Sequence, residues 1–264
     1  MNLNKSEIDK KFIERGFTDI IKINFNDELI NLQKLIYDQT KNYLVNHSEN
    51  LSIEEKINLK FKAKPSDALW SQLMKVVNES KELNRVINSN SVKDAFRIVL
   101  NDPKPFKICT FRARLPEQKR VLYNWHQDEG TWYLSKNHET VDKLPVTLWL
   151  SLNGASKEDS IQLVKYTHKK KLLNHQYVTG QGFFNIKKKN FINEKDIFTV
   201  ETKISECIIF HPLTIHKSVP AENLNLRPRY TIDIRYYDSD LKMPIKVDLV
   251  FKIRKILGRF FNDV

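Results

Sequence analysis

Between Arg229 and Tyr236 the chain alternates strictly: Arg229, Thr231, Asp233 and Arg235 are polar, whereas Tyr230, Ile232, Ile234 and Tyr236 are apolar. Val146 to Leu152 repeats the split, with Val146, Leu148, Leu150 and Leu152 set against Thr147, Trp149 and Ser151. A period of two puts alternate side chains on opposite faces, so each segment predicts a strand with one apolar and one polar face. On a simple surface sheet the polar face meets water; in a barrel with helices packed outside, it lines the pocket. The run from Glu206 to Pro212 predicts a short buried strand stopped by proline.

The N-terminal part follows a different period. Ser6 with Asp9 resembles a capping box, and Asn26-Asp27 precedes Leu29, Ile30, Leu32, Leu35 and Ile36. Ser52 precedes Ile53, Ile57 and Leu59; beyond Pro65, Ser66-Asp67 opens a run with Leu69, Trp70, Leu73 and Val77. Each is a polar start signal followed by apolar residues at helical spacing. The predicted fold is α+β with a mainly β core, organised as one domain over 1–264. Residues 1–105 form a mostly helical support, 106–238 a double-stranded β-helix of the jelly-roll, cupin-like class, and 239–264 a basic amphipathic helix.

Composition agrees with one compact domain. A chain of 264 residues with 41% hydrophobic content has ample material for a core, and 6 glycines leave little room for flexible joints. Cys109 and Cys207 lie in apolar runs without zinc or CxxC spacing and read as buried free thiols in a reducing compartment. The N-terminus turns amphipathic without a long apolar stretch, so neither a signal peptide nor a transmembrane helix is expected, and the protein reads as cytoplasmic. The net charge of +12 fits a solvated lysine-rich surface or an anionic substrate. Lys169-Lys170-Lys171 and Lys187-Lys188-Lys189 are short runs without a nucleic-acid-binding motif, so there is no strong nucleic-acid signal. The basic C-terminal helix packs on its own domain or makes a peripheral membrane or protein contact.

The candidate chemistry starts at His126-Gln127-Asp128, in an aromatic, strand-like run. On a strand, residues two apart share a face, so His126 and Asp128 converge while Gln127 turns away. The triplet alone is weak: with 7 histidines and 32 acidic residues, about one His-x-Asp/Glu arises by chance, and His47-Ser48-Glu49 is such a decoy. His216, just past the 206–212 strand, supplies a third ligand, with His211 as its competitor; His138, His168 and His175 read as structural. Two imidazoles and one carboxylate on one side of a metal leave positions open, which suits non-haem Fe(II) activating O2.

Several ordered stretches then resemble the phytanoyl-CoA hydroxylase-like family of Fe(II)/2-oxoglutarate-dependent dioxygenases. They are Trp125-His126-Gln127-Asp128; the strand Thr147 to Leu152; Asp159 to His168, similar to the family's Asn-Gly-x-Leu-x-x-x-Pro-Gly-Ser-His; and Phe210 to Ser218, continuing to Arg229. The chain departs from the pattern at Ser160, where glycine is usual, at Lys165-Tyr166-Thr167 in place of Pro-Gly-Ser, and at Lys217 between His and Ser. The resemblance implies Fe(II) held by His126, Asp128 and His216, with 2-oxoglutarate and O2 as co-substrates. It also implies a cofactor arginine that clamps the distal carboxylate of 2-oxoglutarate. Arg227 matches the usual count; Arg229 fits with two residues inserted before Asn223 and keeps Tyr236 in register, and is preferred. By the same resemblance, Ser218, Thr147 and Trp149 are expected to orient the co-substrate. In halogenating relatives a small residue replaces the carboxylate, so Asp128 leaves no vacancy for chloride; hydroxylation of an unactivated C–H in a small-molecule substrate, a metabolite or sugar derivative, is the expected outcome, with desaturation and epimerisation sharing the same ligand set. The rival readings are a metal-binding sensor barrel without turnover and a basic membrane- or nucleic-acid-associated interaction protein.

Overall fold

Four serines set the helical layer. In a computed structural model that describes residues 5–24, 27–106, 108–116, 123–132, 145–178, 183–187, 192–219 and 227–240, the hydroxyls of Ser52, Ser66, Ser80 and Ser89 each accept a hydrogen bond from the backbone N–H three residues on. They thereby start α3 (Ile53–Ile57), α4 (Asp67–Asn78), α5 (Lys81–Asn88) and α6 (Asn90–Phe96). Each satisfies one of the donors that a helix start leaves open, an effect of about 1 kcal/mol. At Ser52 the Glu55 side chain reaches back to complete a capping box. Ahead of these lie α1 (Lys5–Arg15), which already includes Ser6, and α2 (Asp27–Thr40). One face of α2 buries Leu29, Leu32, Ile36 and Tyr37. Full burial of a side chain such as Leu32 or Ile36 contributes about 1.5–3 kcal/mol.

The helical part also holds β1 (Ile21–Lys22), too short for any period to reveal. The remaining strands are β2 (Pro103–Pro105), β3 (Thr110–Arg114), β4 (Val146–Ser151), β5 (Ile161–Val164), β6 (His175–Val178), β7 (Phe183–Ile186), β8 (Ile197–Thr199), β9 (Glu206–Phe210), β10 (His216–Ser218) and β11 (Arg229–Asp238). Among the described residues the larger sheet runs β1-β9-β4-β11-β2, with β3 also on β11, and a smaller sheet runs β10-β5-β8. All their pairings are antiparallel. β6 and β7 form a separate ribbon, tied to the segment before His126 by the Ile186 N–H donating to the Trp125 carbonyl at 2.9 Å.

Two apolar clusters show which way each strand faces. Phe111, Ala113, Leu148, Leu150, Tyr230, Ile232, Ile234 and Tyr236 share one cluster with Leu32, Ile36, Leu73 and Val86 of the helices. Trp149, Ile208 and Phe210 of the larger sheet instead meet Ile161 and Leu163 of the smaller one. The helices therefore cover the outside of a two-sheet jelly roll. The polar positions of β3, β4 and β11 face its interior, with Arg235 opposite Thr147, Asp233 opposite Trp149 and Thr231 opposite Ser151. No helix among the described residues is long and apolar enough to cross a membrane. The expected C-terminal helix lies, from residue 241 on, outside the described residues.

Candidate metal centre and active site

His126 and His216 meet through the backbone. Each N–H donates to the other's carbonyl at 2.9 Å, forming a bridge on the edge of β10 opposite β5. The strand expected over His126–Asp128 ends at that bridge: Asp128 opens a short helix, α7 (Asp128–Trp132). The two side chains converge because the chain turns between them, and not because they share a strand face. Gln127 makes this turn. Its amide Nε2 donates to the Leu213 carbonyl at 2.9 Å, its Oε1 accepts from the Leu173 N–H at 2.8 Å, and its own N–H donates to His175 Nε2 at 3.0 Å. His175 packs so closely on Gly130 of α7 that a Cβ there would fall 2.3 Å from the imidazole, so only glycine fits.

Backbone carbonyls fix the tautomers. His126 Nδ1 lies 2.7 Å from the Asn124 carbonyl and His216 Nδ1 2.9 Å from that of Thr214. A carbonyl only accepts, so each Nδ1 carries a proton, and in the neutral ring it is Nε2 that presents the lone pair. His126 Nε2 and His216 Nε2 stand 4.0 and 3.8 Å from Asp128 Oδ1. The three ligand atoms lie within 4.8 Å of one another, and all three residues are buried. The other carboxylate oxygen is tied back: Thr147 Oγ1 donates to Asp128 Oδ2 at 2.6 Å, and Arg235 Nη2 lies 3.4 Å from it. Burial opposes the charge on Asp128, but Arg235, the two imidazoles and Thr147 outweigh it and hold the carboxyl at about 2. Burial, with His216 alongside, pushes His126 well below its ordinary value despite Asp128, keeping the imidazole neutral as a metal ligand must be.

The other expected site residues sort by position. Arg229 opens β11 with its guanidinium 5.6 Å from the Trp149 ring, inside the jelly roll. Arg227 instead bonds Asn58 Oδ1 at 2.9 Å and pairs with Asp159 at 3.6 Å, half-buried outside that space. The Thr147 hydroxyl serves Asp128, and Ser218 Oγ accepts from the Tyr123 N–H at 3.3 Å. His211 stays apart from the triad, with its Nδ1 taking the Leu213 N–H at 3.1 Å. His47 is exposed in a loop, and His138 lies outside the described residues. Sequence reasoning missed Arg112 and Arg114 of β3, which face Thr231 and Arg229 across the ladder. Arg112 holds Asp233 at 2.7 Å and touches the Tyr123 hydroxyl. Their signal was present: Thr110, Arg112 and Arg114 alternate with Phe111, Ala113 and Leu115.

The family model for phytanoyl-CoA dioxygenase (PhyH) matches residues 59–229, more than half of the chain. The chain belongs to this family. No curated protein sequence matches it. Among solved structures, the non-heme monooxygenase ThoJ superposes with a TM-score of 0.59 at 16% identity, covering 87% of this chain and 76% of that one. The epimerase SnoN in complex with Fe3+, alpha ketoglutarate and nogalamycin RO gives 0.58 at 11% identity, covering 89% and 84%. EvdO2 from Micromonospora carbonacea var. aurantiaca, complexed with 2-oxoglutarate, gives 0.57 at 12% identity, covering 89% and 91%. At these identities the likeness is one of fold. This PhyH-family protein is an Fe(II)/2-oxoglutarate-dependent dioxygenase, and its buried His-Asp-His group, with two imidazole Nε2 atoms and one carboxylate oxygen within 4.8 Å of one another, fits iron.

Proposed function

We propose that this PhyH-family enzyme hydroxylates an unactivated C–H bond of a small, anionic metabolite or sugar derivative, with 2-oxoglutarate decarboxylated to succinate and CO2. His126, Asp128 and His216 would hold the iron and Arg229 the distal carboxylate of 2-oxoglutarate, with Trp149 and Ser218 nearby. Iron, 2-oxoglutarate and O2 together supply the oxidising chemistry. The chain's own part is positional. Backbone carbonyls aim the two imidazoles, Thr147 and Arg235 leave one Asp128 oxygen toward them, and Trp149, Ile208 and Phe210 form an apolar wall that excludes water.

The observation that carries this reading is the retained Asp128 carboxylate, buried, ionised and directed at both imidazoles. It completes a facial set and occupies the place a halide would need. The anionic substrate is supported by the inner wall, which carries four arginines, Arg112, Arg114, Arg229 and Arg235, against Asp233, Asp128 at the metal centre and Asp159 near Arg114 and Arg229. The purified protein with Fe(II), ascorbate, O2 and 2-oxoglutarate should form succinate faster when carboxylated or phosphorylated metabolites and sugar derivatives are added. Under 18O2 the product should gain one labelled oxygen. A chlorinated, dehydrogenated or mass-unchanged product would overturn hydroxylation, and stimulation by neutral compounds alone would overturn the anionic substrate.

A further inference from the structure

At the start of β11, Arg229 faces Arg114 of β3 directly across the antiparallel ladder. Residues so opposed have Cβ atoms about 5 Å apart on the same face, so two guanidiniums enter the interior side by side. Both are almost wholly buried, Arg229 at 4% and Arg114 at 2% exposure. They are anchored at one place: Arg229 Nη1 donates to the carbonyls of Asp159 and, at 3.2 Å, Ser160, while Arg114 Nη1 donates to the Val219 carbonyl at 2.6 Å. The Val219 N–H in turn donates to the Ser160 carbonyl at 2.9 Å, joining the two anchors.

Their neighbours on the same wall are neutralised. Arg112 has Asp233, Arg235 has Asp128 and Asp233, and Arg227 outside has Asp159. Arg114 and Arg229 make no ion pair with any described residue. The Nε of each is buried without a partner among the described residues, and so are the hydroxyls of Ser151, Thr231 and Ser160. Ser151 and Thr231 oppose each other two residues along the same face, and Ser160 supplies one of the anchoring carbonyls. Unpaired buried charges lose hydration, and like charges repel. Burial lowers both arginines to about 10, with Arg114 a second cause for Arg229, while the Asp159 carboxylate nearby opposes the shift without pairing with either, so both stay cationic at neutral pH. Two convergent cations with vacant donors and three idle hydroxyls match a carboxylate, which accepts several hydrogen bonds in a plane.

We propose that the distal carboxylate of 2-oxoglutarate is held by an arginine pair, Arg229 and Arg114, with the Ser151 and Thr231 hydroxyls beside it. This rests on the reading that the enzyme uses 2-oxoglutarate through Arg229, and it adds the residue that makes the site select a dicarboxylic 2-oxo acid.

The test is calorimetric titration of the anaerobic Fe(II)-loaded full chain with 2-oxoglutarate and with 2-oxopentanoate, which has the same chain length but no distal carboxylate. Arg114→Gln should weaken 2-oxoglutarate binding about 30-fold or more, the typical loss when one partner of a buried charge pair is removed. It should leave 2-oxopentanoate binding within about 2-fold, because the change lies away from the metal ligands. Removal of one of two repelling cations should also leave the melting temperature of the unliganded protein equal or higher. Arg114→Lys, which keeps the charge without the planar fork, should fall between wild type and Arg114→Gln. Unchanged 2-oxoglutarate affinity in both variants, or equal losses for the two acids, would overturn the arginine pair. If the wild type bound 2-oxopentanoate as tightly as 2-oxoglutarate, the reading of Arg229 would fall first and the pair with it.

Discussion

Single side chains divide the labour at the metal centre sharply enough to be tested one at a time. His126→Ala, Asp128→Ala and His216→Ala should each abolish iron-dependent succinate formation, whereas His47→Ala and His211→Ala should retain most of it, because neither reaches the triad. Activity surviving His216→Ala but lost in His211→Ala would reassign the third ligand. The carboxylate clamp makes a second contrast: Arg229→Ala should raise the 2-oxoglutarate KM about 30-fold or more, and Arg227→Ala only weakly, since Arg227 is already engaged with Asn58 and Asp159. The reverse ordering would place the clamp at Arg227. Thr147→Val removes the 2.6 Å bond that ties back Asp128 Oδ2. Loss of such a supporting bond to a ligand typically lowers metal affinity by about 10–100-fold, which a Co(II) titration would read; unchanged affinity would leave Arg235 as the sole positioning group. The ligand identities were legible because each carries its own chemistry. Thr147's partner was not, since a hydroxyl on β4 meeting a carboxylate at the start of α7 leaves no trace in spacing.

At the scale of elements, local rules were readable and long-range ones were not. Ser52 and Ser66 marked their helices because a cap and its N–H lie three residues apart. The strands β4 and β11 were readable from a period of two, which told inside from outside once helices covered one face. The turn at Asp128 was hidden because it depends on a bridge to His216 and on Gln127 reaching Leu213, contacts that no local window contains. Tyr166 shows the opposite case. It stands where the family usually has glycine, and its φ is +66°, a left-handed conformation that a bulky residue adopts only under strain. Its side chain is 43% exposed and packs little. Tyr166→Gly should therefore stabilise the protein by about 1 kcal/mol, seen as a higher midpoint in urea at unchanged m-value. A lower midpoint would mean that the ring contributes more than the backbone strain costs.

Across the whole molecule, the larger sheet serves two compartments: a helix-facing core on one side and the polar interior on the other. Cys207 lies in the first, with no exposure and its thiol pushed far up by burial. Near pH 8 its alkylation should therefore follow global unfolding, with a rate rising in step with the unfolded fraction in urea; rapid labelling of the native protein would show that the helical layer opens locally. The same two-sidedness matters to anyone who would re-engineer the enzyme. On β4 and β11 the odd-numbered positions address the reaction space and the even-numbered ones address the helices, so substitutions at odd positions act on the site and those at even positions act on the scaffold. A deletion of one residue within β11 would exchange the two sets along the rest of the strand, presenting arginines to the leucines of α2 and α4.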